Sequence, residues 1–107
     1  MEKLKFRTSA DKNGRIETIE IEGLLVFETA LDFKNKLVGI SDRLGSKVKI
    51  TISEIEELDL TGAQLLVAFI RHMDKTKVKY QINWNMDEEE KALFVNVGMG
   101  VELLMKN

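Results

Sequence analysis

Few side chains in this sequence can do chemistry, and their types narrow what that chemistry is. There is no cysteine and one histidine, His72, so thiol nucleophiles, Cys-ligated metals and His-cluster sites are excluded, and little is left for a Ser/His triad. What remains is carboxylate and hydroxyl. Ser53-Glu54-Ile55-Glu56-Glu57-Leu58-Asp59 and Asp87-Glu88-Glu89-Glu90 are two acidic runs, neither with the spacing of a cation loop. Both read as solvated or helix-start charge. Asp59-Leu60-Thr61-Gly62 is the densest group of turn and capping types. Thr61 with Gln64 three places on has the form of a capping box, which satisfies orphan amides at a helix start. Asp59 can serve the same loop amides or a docked partner. His72, beside Arg71 near the end of that segment, suits a helix C-terminus better than a ligand set.

The elements that must position these residues follow from periodicity. The chain has 107 residues, 44% of them hydrophobic and 32% charged, which fits one soluble domain over residues 1–107. Sixteen basic residues stand against eighteen acidic ones, so no nucleic-acid footprint is expected. The start, Met1-Glu2-Lys3-Leu4-Lys5, has no signal-peptide core. The longest apolar run, Leu65 to Ile70, is far short of the ~20 residues that span a bilayer. A cytoplasmic protein without direct membrane insertion is the expectation.

Asn13-Gly14 predicts a two-residue type I′ hairpin turn. That turn pairs Phe6 with Ile21, Thr8 with Ile19, Arg7 with Glu20 and Lys5 with Glu22, which sorts apolar and opposite-charge pairs onto separate faces. Strands with one apolar face follow at Lys47 to Ile52 and at Lys77 to Trp84, so one face of the sheet is covered and the other sees water. Trp84 shares the parity of Val78, Tyr80 and Ile82 and belongs to the core. The lysines at 47, 49, 77 and 79 form a surface charge ladder that Glu20 and Glu22 offset.

Between the strands the period is helical. Ala30, Phe33, Leu37, Ile40 and Leu44 make one stripe, with Gly45 as its stop. Leu65, Leu66, Phe69, Ile70 and Met73 make a second. Asp87 and Glu90 open a short third helix that buries Leu93, Phe94 and Val97, and a last strand is expected near Gly100 to Leu104. The order is β-β-α-β-α-β-α-β, a mixed α/β sheet with an N-terminal hairpin and its helices packed on one face. Leu24-Leu25-Val26-Phe27 is too apolar for a one-sided strand to bury entirely, which leaves exposed apolar surface.

The stretch Ile50 to Leu66, a strand leading into Asp59-Leu60-Thr61-Gly62 and then an amphipathic helix, resembles the signature of STAS domains, the family of anti-sigma-factor antagonists and sulphate-transporter tails. Ile21-Glu22-Gly23 before a helix, and Lys91-Ala92-Leu93-Phe94 with Val97-Gly98, extend the resemblance over most of the chain. It implies a STAS-like fold and a non-catalytic, cofactor-free protein-binding module. The implied partner is an anti-sigma factor of the histidine-kinase-like ATPase type, or a chemotaxis or other signalling kinase. Docking would involve Asp59, Leu60, Thr61 and Gly62, the helix to about residue 70, and Leu25, Phe27 and Glu28 nearby. With Gly62 as anchor, Asp59 matches the family aspartate, but Leu60 stands where phosphorylatable members carry Ser or Thr. Leucine accepts no phosphoryl group, so the usual phospho-switch is not expected; Thr61, one place late, is the remaining candidate acceptor. The family's final helix has no counterpart before Asn107. Two other readings are a STAS subunit of a membrane-associated lipid-transport ATPase and, least favoured, a small enzyme using Asp59 and Glu57, which lacks a nucleophile and a phosphate loop. A homodimer through the apolar loop 24–27 is a further expectation.

Overall fold

The computed structural model describes residues 3–96. Strand β1 (Leu4–Ala10) and strand β2 (Ile16–Leu25) form the antiparallel hairpin. A single turn of 3-10 helix (Phe27–Thr29) leads into helix α1 (Ala30–Ile40). Strand β3 (Leu44–Leu58), helix α2 (Leu60–Lys75), strand β4 (Lys79–Trp84) and helix α3 (Glu88–Asn96) follow. The sheet order is β1-β2-β3-β4, with β2, β3 and β4 mutually parallel. This is the expected mixed sheet. The expected final strand, and Val97 of the third helix, lie outside the described residues.

Phe6 pairs with Ile21, Arg7 with Glu20, Lys5 with Glu22 and Thr8 with Ile19, as the sequence requires, but the turn is of another kind. Asp11 and Arg15 close the loop through Asp11 N–H to Arg15 O at 2.8 Å, and Gly14 N–H reaches Asp11 O at 3.0 Å. Only Gly14 is left-handed there, at φ 82°; a type I′ turn would need Asn13 there as well. The Asp11 carboxylate takes the amides of Asn13 and Arg15 at 2.8 and 3.0 Å, which favours the three-residue loop. A register shift between Ser9 and Ala10 then restores the expected pairing.

The core lies on one side of the sheet. Ile19 and Ile21, then Val48, Ile50 and Ile52, then Ile82 alternate inward against Phe33, Leu37 and Ile40 of α1, Leu66, Phe69, Ile70 and Met73 of α2, and Phe94 of α3. Each such side chain fully buried contributes roughly 1.5–3 kcal/mol. Trp84 is half-buried and meets Phe94 edge-on, ring centroids 5.4 Å apart. On the opposite face Lys5, Arg7, Glu20, Lys47, Lys49 and Lys79 are exposed. Arg7 takes both hairpin carboxylates, Glu22 at 2.8 Å and Glu20 at 3.5 Å. Lys77 is not on this ladder: it precedes β4 in a left-handed turn, φ 62°.

Three element boundaries differ from expectation. The first helix ends at Ile40, not Leu44, because Ser41 closes it, its hydroxyl on Leu37 O at 2.6 Å and its N–H on Val38 O. Leu44 and Gly45 instead open β3, and Leu44 continues the helical period only by coincidence. The acidic run 53–58, expected as solvated charge beyond a strand that ends at Ile52, is strand: β2 extends to Leu25 and pairs Leu24 with Glu57 and Leu25 with Leu58. Parallel pairing with a buried strand end outweighs acidic composition, at the cost of register shifts and a left-handed Glu54, φ 52°. Of the apolar stretch 24–27, Leu24 and Leu25 are accordingly the end of β2, and Phe27 already opens the 3-10 turn, so the stretch is not a free loop.

Candidate functional site

Strands β2 and β3 end side by side, and the chain leaves each to start a helix. Asp59 joins the two exits. Its N–H donates to Leu25 O at 3.1 Å. One carboxylate oxygen accepts from Gly62 N–H at 3.1 Å and the other from Phe27 N–H at 2.9 Å. Asp59 is therefore the N-cap of α2, in extended conformation, while Thr61 already lies inside the helix. This corrects the expectation that Thr61 caps with Gln64. A cap must stand outside the helix with its side chain turned onto the second or third amide, and the Asp59 carboxylate occupies that place.

The joint is tight. A Cβ on Gly62 would stand 2.1 Å from Leu25 O, so only glycine lets the first turn of α2 lie on the end of β2. Behind it, the buried Thr29 hydroxyl reaches Leu24 O at 2.8 Å and Val26 O at 3.1 Å, and accepts from Val26 N–H at 3.2 Å. Sequence reasoning did not single out Thr29. Its signal was weak, a lone hydroxyl at the start of an apolar helical stripe.

The expected partner residues divide into buried and exposed. Leu25, expected at the contact, is 0% exposed, and Val26 and Gly62 are buried too. They shape the joint and are closed to a docked partner. Phe27 is 74% exposed and Leu60 44%, with Glu28 exposed beside Phe27 and Thr61 half-buried behind Leu60 in sequence. From Leu60 a groove of about 520 Å³ runs along α2, lined by Gln64, Val67, Ala68 and Arg71 and by Leu93 and Asn96 of α3. A second groove of about 370 Å³, between the end of β3 and the start of α3, is lined by Glu56, Glu57, Asp87, Glu89 and Glu90 with Ile55, Leu58 and Leu93. The surface around the joint is thus apolar at its centre and acidic on its flank.

What this arrangement can do chemically is limited. Gly62 N–H is held by the Asp59 side chain and Ala63 N–H by the Asp59 carbonyl at 3.1 Å, so these helix-start amides are already engaged and do not form an oxyanion or phosphate cradle. Among the described residues, no three His, Cys, Asp or Glu side chains gather to hold a metal ion. His72 Nε2 donates to Ser41 O at 3.2 Å, tying the end of α2 to the end of α1. Sequence reasoning also passed over Leu31 and Val38, which are large, apolar and exposed. Their signal was available, since both fall off the buried stripe of Phe33, Leu37 and Ile40.

No helix among the described residues is long and apolar enough to cross a membrane. No curated protein matches the chain. Among solved structures it is similar to that of the anti-sigma factor antagonist SpoIIAA in its unphosphorylated form, with a TM-score of 0.64 and 15% identity, covering 91% of this chain and 84% of that one. At that identity the likeness is one of fold: a mixed sheet with an N-terminal hairpin and helices returning between parallel strands. The family model described as the STAS domain matches residues 7–101. With Asp59, Gly62 and the helix after them in the positions the family resemblance required, the chain belongs to the STAS domain family.

Proposed function

We propose that residues 1–107 form one non-catalytic docking module that binds an anti-sigma factor or another kinase-like signalling protein in the cytoplasm. The contact is Leu60, Thr61 and the outer face of α2 to residue 70, with Phe27 and Glu28 alongside. The observation that carries this reading is the Asp59 joint. It fixes two apolar side chains at the surface: Phe27, whose own N–H is bonded to the Asp59 carboxylate, and Leu60, which stands between Asp59 and the Gly62 N–H bonded to the other oxygen of that carboxylate. Exposed apolar residues held by a rigid frame are what a protein interface uses as anchors. The acidic flank formed by Glu56, Glu57, Asp87, Glu89 and Glu90 favours a partner with basic residues around an apolar pocket.

The module acts without the usual phospho-switch, because Leu60 offers no hydroxyl at the position the family resemblance assigns to the acceptor. An unswitched contact also suits a STAS subunit that stabilises a lipid-transport ATPase, and Leu60 is the observation that favours keeping that reading second. Affinity capture with the intact domain, compared with Leu60→Asp and Ala68→Asp variants, tests the site. Retention of an ATPase-domain signalling protein by the native domain, and its loss with both variants at unchanged thermal stability, is expected. Equal retention by all three would remove the site.

A further inference from the structure

The open face of the sheet carries positive charge that the fold leaves unanswered. Lys47 of β3 pairs directly with Lys79 of β4. Lys49, two residues along the same face of β3, stands between Thr18 of β2 and Gln81 of β4. Like charges set side by side across strands repel and cost stability. Glu20 and Glu22, the counter-charges expected from the sequence, are both held by Arg7, at 3.5 and 2.8 Å. All three lysines are exposed, and among the described residues none of them makes an ion pair.

The three lysines line a cleft of about 370 Å³, with Thr18 and Gln81 as further polar walls and Glu17 as its single carboxylate. That volume lies in the range of small-molecule sites. Neighbouring strands are about 4.8 Å apart and alternate residues of one strand about 7 Å apart, so ammonium groups on flexible four-carbon stems can converge on one anion. Three ammonium groups against one carboxylate leave the cleft two positive charges. A phosphate monoester carries about −1.5 to −2 at neutral pH and presents three strong acceptor oxygens, one for each lysine. An extended polyanion fits worse. Glu17 and Glu20 are exposed on β2 beside the cleft, and a membrane plane or a nucleic-acid backbone laid over this face would press its phosphates onto them. We propose that Lys47, Lys49 and Lys79 bind the phosphate group of a small phosphomonoester. The dianion relieves the repulsion between Lys47 and Lys79 that the unliganded chain carries. The cleft lies on the side of the sheet away from α2, so it is a second site that leaves the docking contact open.

Methyl phosphate tests this on the full chain, with methyl sulfate, the same shape with one charge, as the comparison at constant ionic strength. Chemical-shift titration is expected to show saturable shifts at the amides of Thr18, Lys49 and Gln81, with methyl sulfate about tenfold weaker or more. Lys49→Gln should weaken methyl phosphate about tenfold, and Glu17→Gln should tighten it, since the competing carboxylate is gone. Lys79→Glu separates binding from folding. It should abolish binding yet raise the melting temperature at low salt, because the introduced carboxylate faces Lys47. Lys34→Glu makes the same charge change on α1 and should leave the affinity as it is. No saturable shift at millimolar methyl phosphate overturns the proposal. So does equal binding of methyl sulfate, or equal weakening by Lys34→Glu, which would mark a response to net charge. Cosedimentation with phosphatidylserine vesicles that Lys49→Gln abolishes, without a methyl phosphate response, overturns it in favour of a membrane-facing surface. None of these outcomes bears on the α2 docking face, whose test reads a protein partner.

Discussion

Helices α2 and α3 both begin at an aspartate, and the two starts are built on opposite principles. At α3 the cap is local: Asp87 Oδ1 accepts from Glu90 N–H at 2.8 Å, and Glu90 Oε1 accepts from Asp87 N–H at 3.0 Å. Every partner lies within one turn, and the residues are exposed or half-buried. At α2 the cap is shared with another part of the fold, because the second oxygen of Asp59 holds Phe27, thirty-two residues away. Gly62 then lies against the end of β2. The α3 start satisfies a helix. The α2 start welds two strand exits together and fixes the exposed side chains of both.

That contrast predicts a graded series of stabilities, measured by chemical denaturation. Gly62→Ala is expected to cost the most, about 3 kcal/mol, because a methyl 2.1 Å from Leu25 O has backbone and not a movable side chain in its way. Asp59→Ala is expected to cost about 2 kcal/mol, more than an ordinary cap, since Phe27 N–H loses its partner as well as Gly62. Asp59→Asn, which keeps one acceptor oxygen, should cost about half that. Asp87→Ala is expected to cost at most about 1 kcal/mol, with faster hydrogen exchange confined to α3. Equal losses for Asp59→Ala and Asp87→Ala would break the comparison and make the α2 start an ordinary cap.

The same contrast explains what could be read from sequence. The Asp87–Glu90 box was legible because both of its bonds lie inside four residues. Hairpin pairing was legible from the alternation of Phe6, Thr8, Ile19 and Ile21, although the turn that delivers it is another one: the Asp11 carboxylate, not the Asn13 backbone, decides the loop. The cap was misassigned to Thr61, which satisfies the local motif; Asp59 was legible as a residue that could serve the loop amides, but its second partner, Phe27 N–H, is remote in sequence. The length of β3 was hidden for the same reason, since nothing in Ser53 to Leu58 announces that β2 runs beside it. Within the candidate site, Leu60 and Phe27 were legible as surface apolar residues. Leu25 was not legible as buried, because its burial depends on α2 lying over it.

The smallest expected effect on stability belongs to Leu60, and it is the most informative about function. Leu60 is 44% exposed and follows the cap without taking part in it, so Leu60→Ser removes little buried area and should change stability by less than about 0.5 kcal/mol. It does place a hydroxyl at the position where phosphorylatable STAS domains carry one, on a backbone whose first turn is held by Asp59 and Gly62. A dianion added there sits at the positive end of α2, but it also replaces an apolar anchor at the centre of the proposed contact, and burying it in a partner's apolar pocket costs its desolvation, so it opposes docking. Two measurements follow. Incubation with a kinase-like partner and ATP, read by intact mass, should give phosphate on the Leu60→Ser variant and none at stoichiometric level on the native chain. Affinity capture should then show the phosphorylated variant releasing a partner that the native chain retains. Stoichiometric phosphate on Thr61 of the native chain, with loss of that partner, would show that the hydroxyl one place later already serves as the switch and that Leu60 does not disable it.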